Sequence, residues 1–501
     1  MQNRVNHGIS KNELQRFRHA TMVTSCKDEM AMTPDEFREV GHTLIDWIAD
    51  YRARIGDLPV MSQVKPGDVR KQLPASPPEQ GDGLSDLVDD LEHLLVPGLT
   101  HFQHPRNFGY FPANSELSSV LGDLLSSGLG QIGLNWQSSP ALTEFEEHMA
   151  DWMRQLIGLP DTFNGVIQDT ASTSSLVALL CAREKSTRYG QTRGGLQSEN
   201  NPLTVYVSSQ SHSSVEKGAL LAGFGRDKLR LIDTDETHAL RADRLEQAIK
   251  ADLAQGYQPS ALVATTGTTT STALDPVGEM AAIARKYDLW LHVDSAMGGN
   301  AMILPECRWM WEGINDAHSI VLNPHKWLGV VFDCSLFYVR DVQHLIRVMS
   351  TNPSYLRTPA DNEASNYRDW GIPLGRRFRA LKLWLLLRKH GAEGLRNRLR
   401  RDLANAQWLK QQVDAEANWE RVAPVPLQTV CVRYHPPGMS TEQANQHMQN
   451  WVQRINESGK AYLTPAMLKQ RWMVRVSIGS LLTEREDVAA VWELMKSEAR
   501  R

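Results

Sequence analysis

Four short stretches hold the residues whose types and spacing suit chemistry. They are VIQDTASTSS with Thr170, Ala171 and Ser172, VYVSSQSHSS with His212, LWLHVDSAMGG with Asp294, and SIVLNPHKWLG with Asn323, His325 and Lys326. In each, polar residues follow directly on an apolar run. A lysine in that position is costly to desolvate as an ammonium unless it is paired or works as a neutral amine or imine. Lys326 is therefore either a surface accident or a reactive group. Read singly, Asp294 is a turn cap, His212 a satisfied structural histidine, and the hydroxyls after VIQD ordinary helix caps. Read together, they supply a lysine for an imine, an acid for a pyridine nitrogen, a flat ring to lie on a cofactor, and free N–H groups at a helix start to cradle a phosphate. Those are the ingredients of a pyridoxal 5'-phosphate (PLP) site.

The elements that must position these residues are legible from residue 117 onward. Apolar runs LTVYVSS, ALVATTG, LWLHVD and SIVLNP alternate with helical patterns such as AAIARKYD. This alternation predicts an α/β fold with a mostly parallel central sheet, in which ligands bind beyond the carboxyl ends of the strands. Upstream, TPDEF carries a capping box and a proline suited to the first helical turn. It is followed by an amphipathic helix, a Pro- and Gly-rich connector over residues 61–84 and a second helix, LSDLVDDLEHLL. Downstream, a helix-rich passage leads to strands QTVCVRY and WMVRVSI. The expected division is an arm over 1–32, an N-terminal helical layer and dimerisation segment over 33–116, a large cofactor-binding domain over 117–383 and a small C-terminal α/β domain over 384–501.

Composition removes several function classes. Lys plus Arg number 54 against 58 Asp plus Glu, for a formal net charge of -4, so there is no basic field for nucleic acid or an anionic membrane. The five cysteines are scattered, without a CxxC pair, which argues against a disulfide framework and against a zinc site, and fits a reducing cytoplasm. No apolar run approaches the roughly 18 residues needed to span a bilayer, and the first residues lack a secretory core. A small molecule is the expected partner.

HVDSAMGG, NPHKWLGVVFDCS, GVIQDTASTSSLVALL, FGYFPANS, NWQSSPALTE and IPLGRRFRALKLW resemble the motifs of the PLP-dependent group II amino-acid decarboxylases, aromatic L-amino-acid branch, and lie in that family's order. The likeness runs from about residue 33 to the end. It implies PLP fold type I, of aspartate-aminotransferase type, and an obligate homodimer with shared sites. It places Lys326 as the Schiff-base lysine, Asp294 at the pyridinium nitrogen, His212 on the ring and Ala296 on its other face. Thr170, Ala171, Ser172 and Asn323 fall around the phosphate, and Thr268 falls close to the cofactor. Tyr110, Phe111, Pro112, Ala113, Ile132, Leu134 and Gly375 match the substrate pocket, some of them contributed by the partner chain. Tyr355, in the polar segment 350–366, matches the tyrosine of a closing loop that protonates carbon, and His325 is placed to relay a proton or hold the substrate adduct.

The activity so implied is conversion of tryptophan, 5-hydroxytryptophan, DOPA, phenylalanine or tyrosine to its amine and CO2. Ala113 and Leu134 depart from the threonine and larger aromatic residue of the animal aromatic enzymes, and Arg106 keeps an acidic substrate open. The rivals are a decarboxylase of aspartate, glutamate or 2,4-diaminobutyrate, an aldehyde-forming variant, and a non-catalytic dimer.

Overall fold

The computed structural model describes residues 32–81, 83–351 and 353–501, so the expected arm over 1–32 lies almost wholly outside the described residues. The first helix, Pro34–Arg54, opens as its sequence dictates. Thr33 Oγ1 accepts from the N–H of Glu36 at 3.2 Å, and the Glu36 carboxylate accepts from the N–H of Thr33 at 2.7 Å.

A seven-stranded sheet forms the centre, in the order β1-β7-β6-β5-β4-β2-β3. Its strands are β1 (Asn164–Gln168), β2 (Leu203–Ser208), β3 (Leu229–Ile232), β4 (Gln258–Thr265), β5 (Trp290–Asp294), β6 (Ser319–Leu322) and β7 (Ser335–Val339). All neighbours from β6 to β3 pair in parallel, and β7 alone runs against both β6 and β1. The carboxyl ends of β1, β2, β4, β5 and β6 thus share one edge. Helices cover both faces, so side chains alternate between two cores and the strand centres are mostly apolar. In β4, Leu262 and Ala264 enter one core and Ala261 and Val263 the other; in β2, Tyr206 enters the first and Val205 and Val207 the second.

A second, antiparallel sheet follows in the order β10-β11-β9-β8, from β8 (Trp419–Arg421), β9 (Thr429–Tyr434), β10 (Thr464–Leu468) and β11 (Arg471–Ser477). Helices Thr441–Glu457 and Arg485–Ala499 pack on it through Met448, Trp451, Val488 and Trp492. The boundary expected at 383/384 falls inside one long helix, Ala380–Ala415, which is broken at Gly391 (φ 61°, ψ 173°). Leu383 to Leu399 of that helix belong to the large core, and Ala406, Leu409 and Val413 to the small one. The change of core therefore comes between Leu399 and Ala406. Among the described residues no helix is long and apolar enough to cross a membrane.

Candidate active site

The strand ends meet around one cavity of about 260 Å³. Its wall includes Thr170, Ala171, Ser172, His212, Asp294, Ala296, Asn323, His325, Lys326 and Phe111. Each arrives by a local device. Helix Ala171–Ser186 starts without a side-chain cap, which leaves its first N–H groups free for an anion. Helix Ser213–Leu221 is instead capped by His212, whose Nδ1 accepts from the N–H of Ser214 at 3.2 Å. Asp294 closes the wholly buried strand β5, and its Oδ1 accepts from the N–H of Ala296 at 3.1 Å. Asn323 joins the ends of β5 and β6: its N–H donates to the carbonyl of Ala296 at 2.9 Å, and its Oδ1 accepts from Ser335 Oγ at 2.7 Å. The chain then enters the short turn Pro324–Leu328, where Lys326 leaves the helical conformation at φ −97°, ψ −106°.

Burial governs the charges. It lowers the pKa of the Lys326 ammonium, against the attraction of Asp294 and with the repulsion of Arg475. An amine held toward its neutral form keeps the lone pair a nucleophile needs. Burial also lowers His212, which Asp294 raises and Lys326 lowers further. His325 is pushed down to about 3, first by burial and then by Lys326. Its Nδ1 accepts from the N–H of Cys334 at 2.8 Å, so at neutral pH the ring hydrogen sits on Nε2. At neutral pH His325 thus offers an N–H donor at Nε2.

The sequence model of the pyridoxal-dependent decarboxylase conserved domain matches residues 66–435. The chain belongs to that family. It is 38% identical to a tryptophan decarboxylase 2 of Oryza sativa subsp. japonica, over 93% of this chain and 95% of that one, and 39% identical to a phenylacetaldehyde synthase of Arabidopsis thaliana, over 93% and 96%. Its fold matches the crystal structure of Oryza sativa TDC with PLP and tryptamine at a TM-score of 0.91, with 35% identity, covering 94% of this chain and 98% of that one. The protein is a PLP-dependent amino-acid decarboxylase of fold type I.

The residues fit the cofactor by their own chemistry. A lone amine, a buried carboxylate, an uncapped helix start and the buried, unpartnered Thr265 Oγ1 all belong to one small cavity. Lys326 would hold the group covalently, Asp294 would face its ring nitrogen, and Thr170, Ala171 and Ser172 would take its phosphate. Thr268 is wholly buried and does not line the decarboxylase's cavity, whereas Thr265, Gly267 and Thr269 do.

The expected substrate residues divide. Phe111 is on the wall. Pro112 packs toward Gly479, the Ala113 carbonyl accepts from Gln103 Nε2 at 2.7 Å, and Tyr110 is exposed beside Tyr462. Exposed Ile132, half-buried Leu134 and exposed Gly375 lie together, because the N–H of Gly133 donates to the carbonyl of Arg376 at 2.9 Å, and none of them reaches this chain's own cavity. Tyr355 is 78% exposed, on the turn Ser354–Leu356. Arg106 lines a different cavity, with Lys460 and Val491.

Sequence reasoning missed Phe332 and Met297 on the wall, and Arg475 beside it. Arg475 is 3% exposed, its Cζ stands 5.0 Å from the Phe111 ring centroid, and its Nη2 makes no hydrogen bond. Lys326 Nζ stands 5.4 Å from the same ring. The available signal was a single charge inside the apolar strand WMVRVSI.

Proposed function

We propose that the protein is a homodimeric, cytoplasmic decarboxylase that converts an aromatic L-amino acid to its amine and CO2. The observation that carries this reading is the convergence of Lys326, Asp294 and His212 on a cavity walled by Phe111, Phe332 and Met297. Such a wall favours a flat apolar side chain. The arginine nearest in sequence, Arg106, is elsewhere, which removes the argument for an acidic substrate that rested on it. The relative named for tryptophan points the same way.

When bound, the cofactor's ring supplies the sink for the electron pair left behind by CO2. The protein's share is orientation and proton control. Lys326 offers an amine held toward its neutral form, Asp294 would favour a protonated ring nitrogen because a nearby carboxylate favours the charged form, and His325 would donate from Nε2. Tyr355 is our candidate for the acid that protonates carbon. Its exposure in the single chain requires that its segment moves in or that it serves the site of a second copy.

A second copy also accounts for the exposed stripe Leu117, Leu121, Leu124 and Leu125, and for the helix Pro34–Arg54, which buries no residue within its own chain. Tyr110, Ile132, Leu134 and Gly375 would then face the partner's cavity. The free, buried thiols Cys181, Cys307, Cys334 and Cys431 suit a reducing compartment.

The test is a product assay on the PLP-loaded protein with aromatic, acidic and diamino substrates, recording amine, CO2, aldehyde and peroxide together. Amine equal to CO2 from an aromatic substrate is expected. Turnover of aspartate, glutamate or diaminobutyrate alone would overturn the pocket reading. Aldehyde with peroxide would move the protein to the activity that names its Arabidopsis relative.

A further inference from the structure

The turn that carries Lys326 cannot satisfy its own backbone. The chain leaves the helical conformation at Lys326 and reverses at Gly329 (φ +102°), so the carbonyls of Lys326 and Trp327 are not taken by a continuing helical ladder. Side chains from distant segments take them instead. Asn114, 2% exposed, donates from Nδ2 to the Lys326 carbonyl at 3.3 Å and to the Gly479 carbonyl at 2.7 Å, while its Oδ1 accepts from the N–H of Leu481 at 3.1 Å. Arg398 donates from Nη2 to the Trp327 carbonyl at 2.6 Å. The indole of Trp327, itself wholly buried, donates to Asp402 Oδ2 at 2.8 Å. Asp402 is in turn approached by Arg401 at 3.2 Å, which also reaches Glu484 at 2.6 Å. The peptides beside the lysine are therefore tied to the segment before helix Leu117–Gly128, to the long helix beyond Gly391 and to the loop after β11.

We infer that Asn114, Arg398 and Asp402 are positioning residues that fix the Lys326 turn to the long helix and to the loop after β11 and so set where the lysine amine stands in the cavity. None of the three lines that cavity, and their effect passes through the backbone on either side of Lys326. The inference rests on the reading that Lys326 carries the cofactor.

Asn114→Asp tests it with little change of shape. The carboxylate still accepts from Leu481 but has no hydrogen for the two carbonyls, and it repels both. In the PLP-loaded protein the measurements are the pH midpoint of the lysine-bound cofactor's visible band, kcat and KM, and the melting temperature. The band midpoint is expected to move by about half a pH unit or more, with kcat per folded protein down by about 10-fold at nearly constant KM, while the melting temperature falls because two buried hydrogen bonds are lost. Trp327→Phe, which removes the indole N–H together with part of a wholly buried ring, should shift the same readouts of the folded protein in the same direction and serves if Asn114→Asp does not fold.

Wild-type midpoint and kcat in the folded variants overturn the inference, as does a loss of kcat that only follows loss of folded protein. Lys326→Ala separates the two readings. If it keeps the visible band, the assignment of Lys326 fails. If it loses the band while Asn114→Asp and Trp327→Phe match the wild type, only the positioning role fails.

Discussion

Tyr355 and Lys326 do opposite things with exposure. The lysine is made useful by burial, which withholds a proton from it, whereas the tyrosine stands 78% exposed and must be brought to its target. Tyr355→Phe is expected to keep cofactor binding, to lower amine formation by about 100-fold, the usual loss when a general acid is removed, and to divert part of the turnover, with dissolved dioxygen as the oxidant and water as the oxygen source, to aldehyde, ammonia and peroxide. Product analysis by chromatography checks this; unchanged amine output would remove Tyr355 from the mechanism. Lys326, Asp294, His212 and Asn323 were legible because each ends or follows an apolar strand. Thr268 was not separable from its neighbours in TTGTTT, since a run of threonines does not say which one turns inward. Arg106 shows the converse error, because closeness in sequence to FGYFP did not bring it to the cavity. Arg475 was hidden by its distance in sequence: it reaches the site only because β11 packs behind Phe111.

At the scale of elements, the central strands were legible because burial on both faces makes them unbroken apolar runs. Strand β3 was not. At the sheet's edge its residues LRLI are only partly buried and carry a charge. The boundary expected at 383/384 falls inside a helix shared by two cores, where the sequence shows no compositional break and Gly391 marks the place where the helix turns. Its φ of 61° with ψ of 173° lies in a region open essentially to glycine alone, and there is nothing within 4 Å of a Cβ built there. Gly391→Ala is therefore expected to destabilise the protein by about 1–3 kcal/mol through backbone conformation, not through a clash. Urea unfolding measures it, and an unchanged midpoint would show that the break tolerates a side chain. Where close approach does matter is Gly122, whose Cβ would stand 2.7 Å from the carbonyl of Leu381 on that same long helix.

The whole molecule adds what no single element shows. Leu121→Asp with Leu125→Asp places two charges on the exposed leucine stripe. It is expected to convert a dimer into monomers by light scattering and to cost most of the activity if sites are shared. A dimer that persists would send the search to another face. Acid stability follows from three buried histidines and a half-buried one: His104, His292 and the half-buried His318 are held at about 4 and His325 at about 3, loss of solvent being the first cause in each. Their folded values lie below the ordinary 6.5, so the unfolded chain takes up their protons first. The stability they contribute is fully present above about pH 6.5 and is lost progressively as pH falls toward 4. Urea midpoints between pH 7 and 5 should therefore decline, and a flat profile would show that these rings titrate normally. The order of assembly also follows from topology. Every cavity wall residue lies between Phe111 and Phe332, yet β1, which leads into the phosphate-facing helix, has no neighbour in the sheet until β7 exists. The lysine turn, for its part, is tied down by Arg398, Asp402 and, through Asn114, by Gly479 and Leu481. A chain emerging from the ribosome therefore displays every residue of the cavity wall well before it has the groups that tie down the lysine turn. A message cut short before the codon for Arg475 would therefore yield a polypeptide that carries the whole cavity wall but lacks Gly479 and Leu481, to which Asn114 ties the lysine turn.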